Sequence, residues 1–411
     1  MAGSSSTPGT SSSNSSSAPL PPKILLAKPG LVTGAPVAAK FGRGGAGDDD
    51  TASLRSRLPP IGSLNLLSDS WDFHIDRFLP FLTENTEFTV VGVIGPPGVG
   101  KSTIMNELYG FDATTPGMLP PYATQSEEAR VMARHSSIGI EPRVSAERFI
   151  LLDSQPVFSP SVLAEMMRPD GSSTIPVLSG ESLSAELAHE VMSTQLGVLL
   201  TSICHILLVV SEGVHDYNMW RLMSTVDLLK HGIPDPSSLN THSQSSNIGP
   251  EKDSKDKVHE GGEYMAAPVF VHTKLQHQDL SPQNFVHLKK ALAEYFSTSS
   301  FMREKHGNVT KEHAVSSVVN PSQDPDSVVP SLFVIPIKNK DDSPRDQYES
   351  HYSMLWKLRD KVLSMNGPSF ARTLSERDWL KNSAKIWELV KNSPIIAEYT
   401  RTLQSSGFFR R

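Results

Sequence analysis

Residues Gly95-Pro96-Pro97-Gly98-Val99-Gly100-Lys101-Ser102 follow the pattern G-x-x-x-x-G-K-S/T, whose chemistry is the cradling of phosphate. Glycines keep side chains out of the way, so the amides from Gly98 to Thr103 can face a β-phosphate. The helix that follows adds the partial positive charge of its N-terminus. Lys101 is long enough to reach β- and γ-oxygens, and the Ser102 hydroxyl suits Mg²⁺. Pro96 and Pro97 have no N–H, but they precede the amides that do most of the cradling. The pattern carries meaning only between a strand and a helix. Both are present: the apolar run Thr89-Val90-Val91-Gly92-Val93-Ile94 before it and the helical stretch Thr103-Ile104-Met105-Asn106-Glu107-Leu108 after it. Gly95, Gly98, Val99, Gly100, Lys101, Ser102 and Thr103 are therefore the candidate nucleotide contacts.

A phosphate loop alone neither senses a γ-phosphate nor hydrolyses it. Asp153 closes the apolar run Glu147-Arg148-Phe149-Ile150-Leu151-Leu152-Asp153, a position from which a carboxylate holds Mg²⁺ directly or through water. Ser137, in Ser136-Ser137-Ile138-Gly139-Ile140, stands where Ras-like proteins carry a Thr-apolar-Gly triplet, and its hydroxyl offers the same metal contact. Asp153-Ser154-Gln155-Pro156 departs from the Ras-like Asp-x-x-Gly. Pro156 has no N–H to meet a γ-phosphate, and Val157 replaces the glutamine that orients attacking water. The base-reading Asn-Lys-x-Asp is here Thr273-Lys274-Leu275-Gln276. Lys274 keeps the stem that stacks along a base, whereas Gln276 lacks the charged bidentate acceptor for guanine. The predicted site holds Mg²⁺ through Ser102, Asp153 and Ser137, and a purine nucleotide (ATP, GTP or a diphosphate) with weak guanine selectivity. No catalytic residue is assigned. The alternative is an active GTPase or ATPase, disfavoured because Ser154 follows Asp153 where an ATPase needs a strand-end Asp-Glu. A small-molecule kinase would need an arginine-rich lid, and the polar insertions are poor in Arg.

The 411 residues around these positions allow two or three average domains, or one large domain with tails. Hydrophobic residues make up 38%, low for a chain packed throughout, which predicts disordered segments. The net charge of −6 argues against a nucleic-acid binder held by a global positive field, and no sequence-specific nucleic-acid contact is expected. A single cysteine, Cys204, makes no disulfide framework and fits a reducing compartment, cytoplasmic or nuclear. The Ser/Thr/Gly-rich N-terminus does not read as a signal peptide. Leu196–Val210, the longest apolar stretch, is too short and too polar to span a bilayer, so no membrane role is expected.

Residues 1–60 read as a disordered low-complexity tail, with the apolar island Lys23-Ile24-Leu25-Leu26-Ala27-Lys28-Pro29 as a short docking strand. Residues 61–366 read as the nucleotide-binding domain and 367–411 as a C-terminal helical segment. Within the domain, Trp71, Ile75, Phe78, Leu79 and Leu82 recur at helical spacing after a Ser68 or Asp69 cap. Further strands are expected at 147–153, 205–210, 268–274 and 331–337, and helices at 182–202, 218–230, 282–297 and 348–365. Two polar insertions, about 232–264 and 300–330, read as disordered. Helical periodicity resumes over 374–404, carrying Trp379, Ile386, Trp387, Val390 and Ile395. Trp220, Trp379 and Trp387 are expected to anchor the core or a partner interface, and His205, inside an apolar strand, to be a core histidine. Strands alternating with helices predict an α/β, doubly wound sheet. Its ligand belongs at the carboxyl ends of strands, where the loop after Ile94 and Asp153 both fall.

Blocks well beyond the phosphate loop carry a resemblance. They are Val90–Gly95 with Lys101-Ser102, then Leu151-Leu152-Asp153-Ser154-Gln155-Pro156-Val157-Phe158-Ser159-Pro160-Ser161-Val162-Leu163 and Cys204-His205-Ile206-Leu207-Leu208-Val209-Val210. Trp379, Ala384-Lys385-Ile386-Trp387 and Ala397-Glu398-Tyr399 follow. Together they resemble the Smg-nine family of nonsense-mediated mRNA decay factors, over about residues 62–404. The Asp-x-Gln-Pro block and the C-terminal Trp/Tyr block are far more specific than the phosphate loop. Ile24–Pro29 is similar to short apolar-Lys-Pro elements of the family's tail. The resemblance implies a P-loop NTPase fold of the G-domain-like kind in a regulatory, non-catalytic subunit. Members pair through that domain with a larger Smg-eight-type partner. The pair binds a phosphatidylinositol-3-kinase-related protein kinase and regulates its action on the Upf-type RNA helicase. By the same resemblance Gly95, Gly98, Gly100, Lys101 and Ser102 contact nucleotide.

Overall fold

β1 (Thr89–Ile94), β2 (Ile140–Val144), β3 (Phe149–Ser154), β4 (Ile206–Glu212), β5 (Ala267–Leu275) and β6 (Ser331–Pro336) form one sheet in the order β2-β3-β1-β4-β5-β6. Neighbours are parallel except the edge pair β2–β3. β1, β3 and β4 are almost wholly buried, as expected of parallel strands covered on both faces. The computed structural model describes residues 64–68, 71–112, 119–126, 128, 131, 137–167, 183–243, 264–302, 331–338 and 349–407. The 1–60 tail with its Lys23–Pro29 island, residues 244–263 and residues 303–330 lie outside the described residues.

The helices are α1 (Lys101–Tyr109), α2 (Pro160–Met166), α3 (Ala185–Ile203), α4 (Tyr217–Leu229), α5 (Pro282–Tyr295), α6 (His351–Ser364), α7 (Glu376–Lys391) and α8 (Pro394–Ser405). Side-chain alternation along the strands divides the core in two. Val91, Val93, Leu208 and Val210 meet Ile104 and Leu108 of α1 and Leu355 and Leu358 of α6. Val90, Ile94, Leu207 and Val209 meet α3, α4 and α7 on the other face. Capping follows the sequence closely: Ser184, Asp216, Ser281, Ser350, Ser375 and Ser393 each accept an amide of the first helical turn. Ser393 and Pro394 begin a new helix, so the 374–404 stretch is two helices, α7 and α8. Among the described residues no helix is long and apolar enough to cross a membrane.

Three local expectations change. The helix after Ser68 does not form: Trp71 has φ 63°, Leu67 bridges antiparallel to Phe73 and Ile140, and only Leu79–Phe81 makes a 3₁₀ turn. Pro80 interrupts the pattern, and Leu66, Trp71, Phe78 and Leu82 reach the core from an irregular path of bridges and turns instead. β2 is an additional strand: Ile140, Pro142 and Val144 alternate with Glu141 and Arg143, but the run is short and its central proline argues against a strand from sequence alone; Pro142 is tolerated because β2 is an edge strand. Residues 235–243 are not featureless. Pro236–Ser243 is a 3₁₀ helix, and buried Asp235 accepts the amides of Ser237 (2.7 Å) and Ala371 (2.9 Å).

The tryptophans settle into the interior. Trp379 donates its indole N–H to Ile203 O (2.8 Å), and Trp387 donates to Trp71 O (3.1 Å) while meeting the Trp71 ring edge-on at 5.8 Å. Both are fully buried, so α7 belongs to the main core and neither ring is a partner anchor. Trp220 is half-buried against Tyr295. His205 Nδ1 accepts the Val90 N–H at 2.9 Å, a structural role consistent with a core histidine.

Candidate functional site

The strand order reverses beside β1. The chain leaves β1 for β2 and β3 on one side, then returns to β4, β5 and β6 on the other. In open α/β sheets that reversal opens a crevice at the carboxyl end of the strand, and the Gly95–Ser102 loop occupies it. A Cβ on Gly95 would lie 2.2 Å from Val210 O, so only glycine lets the chain leave β1 this close to β4. Gly98 and Gly100 adopt φ 76° and 95°, left-handed values that turn successive amides the same way, and Gly100 is the N-cap of α1. Val99 is buried and its carbonyl accepts the Thr273 hydroxyl (2.9 Å), which also lies 3.1 Å from Ser211 O. The loop is thus tied to the ends of β4 and β5.

Lys101 opens α1 and folds back over the loop, donating Nζ to Gly95 O (3.0 Å) and Pro96 O (3.1 Å). It is almost fully buried; desolvation lowers its pKa to about 8, and the nearby Asp153 charge opposes that fall. Across from it, Asp153 at the end of β3 accepts two hydroxyls on Oδ2, from Ser102 (2.7 Å) and Ser137 (2.9 Å). The two hydroxyl oxygens are 3.4 Å apart. Asp153 Oδ1 is buried with no hydrogen-bond partner among the described residues. Burial raises the Asp153 pKa, while the Lys101 charge and the two serine hydroxyls pull it back. A buried carboxylate oxygen without a partner is costly, and with two hydroxyls it makes an all-oxygen donor set that fits a hard cation such as Mg²⁺. No group of three or more His, Cys, Asp or Glu able to hold a metal occurs among the described residues. A cation here would complete its shell with water and phosphate oxygens, as Mg²⁺ does.

Beyond Asp153 the chain is locked inward. Ser154 donates to Val93 O (2.6 Å), Gln155 N to Gly139 O (2.7 Å), and Val157 N to Gly95 O (3.1 Å). Gln155 Oε1 accepts the Gly139 amide at 3.0 Å. The Val157 side chain is in the main core and Pro156 is buried. At the rim, Lys274 has φ 58°, pairs with Glu212 (2.7 Å), and holds Nζ 4.0 Å from where a Cβ on Gly98 would be. Gln276 is spent on a capping box: its side chain accepts the Asp279 amide, and its own amide donates to Asp279 Oδ2 at 3.0 Å.

The structure therefore brings Lys101, Ser102, Ser137 and Asp153 together, sets Lys274 at the loop's edge, and leaves the Thr103 side chain exposed on α1. Thr273, Glu212 and Gln155 were not assigned from the sequence. Thr273 occupies the Asn position of the base-reading pattern, which was a usable signal. Gln155 lay inside the Asp-x-Gln-Pro block, but its partner Gly139 is set only by the β2–β3 pairing.

No family model matches the chain. Curated proteins do. Nonsense-mediated mRNA decay factor SMG9 of Xenopus laevis is 29% identical over 381 residues, spanning 87% of this chain and 71% of that protein. The Salmo salar protein of the same name is 26% identical over 363 residues, spanning 82% and 67%. The Caenorhabditis elegans protein of that name is 28% identical over 154 residues, spanning 38% and 37%. At 26–29% identity over 82–87% of its length, the chain is similar to vertebrate proteins named nonsense-mediated mRNA decay factor SMG9.

Proposed function

We propose that the chain is a regulatory, non-catalytic subunit in nonsense-mediated mRNA decay whose P-loop, G-domain-like domain binds a purine nucleotide with Mg²⁺. The observation that carries the nucleotide part is the convergence of Ser102, Ser137 and Asp153 beside buried Lys101 at the carboxyl end of β1. The amides from Gly98 to Thr103 and the Lys101 ammonium hold phosphate oxygens. Ser102 and Ser137 ligate the metal, Asp153 holds it directly or through water, and Lys274 stacks along the base. When bound, the metal neutralises phosphate charge.

The reading as a holder rather than a hydrolase is supported at three positions. Pro156 has no N–H for a γ-phosphate. Val157 is turned into the core with its N–H on Gly95 O, so it cannot orient water. Gln276 is engaged with Asp279, which leaves no bidentate acceptor for guanine. The decay role rests on the similarity to SMG9 proteins. In that role the domain pairs with a Smg-eight-type partner and regulates a phosphatidylinositol-3-kinase-related kinase acting on the Upf-type helicase, in the cytoplasm, without sequence-specific nucleic-acid or membrane contact.

Mass spectrometry of nucleotide released from denatured, purified protein tests the site. A purine nucleotide is expected from the wild type and none from Lys101→Ala. Affinity should fall as pH rises through about 8, where Lys101 loses its proton. Sustained hydrolysis that Lys101→Ala abolishes would overturn the non-catalytic part. A wild-type chain that neither retains nor binds adenine or guanine nucleotides would overturn the site itself.

A further inference from the structure

In switch proteins the metal-contacting loop is ordered by the γ-phosphate and its Mg²⁺, and is released when the γ-phosphate is lost. The Ser137 segment of this chain is held by something else. Gly139, two residues beyond Ser137, is gripped on both polar groups by one residue: its carbonyl accepts Gln155 N (2.7 Å) and its amide donates to Gln155 Oε1 (3.0 Å). Gly139 is also wedged from behind. It has φ 59°, and a Cβ there would lie 1.6 Å from Leu67 O, which accepts the Ile140 amide at 3.2 Å. From Ile140 onward the segment is a strand paired with β3, with Ile140 opposite Ser154. Gln155 is itself buried, and Pro156 after it restricts its backbone to extended conformations. With these contacts in place, Ser137 Oγ already lies 2.9 Å from Asp153 Oδ2 and 3.4 Å from Ser102 Oγ.

We infer that Gln155 is a positioning residue that holds the Ser137 segment at the metal side of the site whether or not a γ-phosphate is present. The inference rests on the nucleotide-and-metal reading above. Its consequence is that the site does not open when a triphosphate is replaced by a diphosphate, so the domain serves as a fixed block in its complex rather than a nucleotide-dependent switch.

Two measurements test it together. The first is hydrogen exchange at the Gly139 amide in the chain without added nucleotide. Gln155→Met keeps the length of the side chain and removes the acceptor; exchange at Gly139 should accelerate on the order of tenfold while β1 amides stay unchanged. Gln155→Glu retains an acceptor and should keep the protection, which also guards against a variant that simply fails to pack. The second is binding of the fluorescent probes mant-ADP and mant-GDP with Mg²⁺ and with EDTA. In the wild type Mg²⁺ should tighten diphosphate binding, and Ser137→Ala should reduce that gain by about fivefold. Gln155→Met should reduce it by a similar factor, with no effect in EDTA, and the double variant should be no worse than Ser137→Ala. Unchanged protection in Gln155→Met, multiplying losses in the double variant, or wild-type binding of both diphosphate probes that Mg²⁺ does not tighten would each overturn the inference. Failure of the underlying reading looks different: the wild type then binds neither probe in Mg²⁺ or EDTA, while exchange at Gly139 still answers to Gln155. That pattern overturns the metal role along with the site and leaves Gln155 as a structural clamp.

Discussion

Beneath α1 and α6 the sheet buries a modest apolar set, Val91, Val93, Leu208, Ile104 and Leu355 among them, and ends in a rim where Lys101 and Asp153 are both buried. Beneath α3, α4 and α7 it buries Trp71, Trp379 and Trp387 with a longer run of leucines and valines, and the Trp379 and Trp387 indole N–H groups both reach backbone carbonyls. One face carries charge in a confined place; the other carries apolar volume. Burying Lys101 and Asp153 costs desolvation, which lowers the lysine pKa and raises that of the aspartate, and the first face buries fewer apolar side chains than the second. The comparison teaches that the charged rim and the larger apolar core lie on opposite faces of one sheet, and that each face should fail in its own way.

The largest expected effect is on the apolar face. Trp387→Ala should lower the unfolding free energy by about 3–5 kcal/mol, measured by denaturant titration, because the cavity cannot close around Trp71. Protein that remains folded should keep its phosphate affinity; an affinity loss without a stability loss would break the division of labour. On the polar face, Lys101→Ala should cost about 2–5 kcal/mol of phosphate affinity, measured by calorimetry with ADP and GDP. Its melting temperature should move little, since Gly95 O keeps the Val157 amide. A collapse of stability would show that the rim itself holds the fold.

Acid sharpens the comparison further. His272 is fully buried on β5, with Nδ1 2.8 Å from Gly213 O and Nε2 without a hydrogen-bond partner among the described residues. Burial pushes its pKa below the usual 6.5, opposed by the Gly213 carbonyl and Asp216. The unfolded chain therefore takes up the proton first, so this contribution to stability is complete above 6.5 and is lost as pH falls through the folded-state value. Thermal melts from neutral toward acid pH should show a steeper decline in wild type than in His272→Gln. His189 shifts in the same direction but is common to both proteins and cancels in the difference. Parallel declines would remove His272 as an acid-sensitive point.

The smallest effect is expected at the base-reading position. Gln276→Asp should change the ratio of GDP to ADP affinity by less than about 1 kcal/mol, because the side chain at 276 is held by the Asp279 amide. A tenfold gain for GDP would show that the cap yields to a ligand.

Much of this was legible in the residues. The glycines of the loop, the strand before it and the lysine that opens α1 are read from spacing alone, since each depends on neighbours within a few positions. The helix start at Ser281-Pro282 is equally plain, because Ser281 caps by a bond three residues away, whereas the helix expected from 348 begins at His351 after its Ser350 cap. The path from Ser68 to Leu82 departs from its helical expectation for the opposite reason. Its apolar spacing fits a helix, but the burial that decides its shape comes from Ile140 and α7.

By itself the sequence determined that a phosphate-type loop stands between a strand and a helix in an α/β chain, and that Pro156, Val157 and Gln276 stand where Ras-like patterns carry Gly, Gln and Asp. The tertiary structure alone decided that Ser102 meets Asp153 across 51 residues, that Gln155 holds Gly139 beside Ser137, and that Trp387 lies against Trp71 across 316 residues. Local pattern encodes backbone conformation, where the energies are those of neighbouring dihedrals and caps. Which side chains share a pocket depends on sheet order and register, which are settled only when the whole core packs at once.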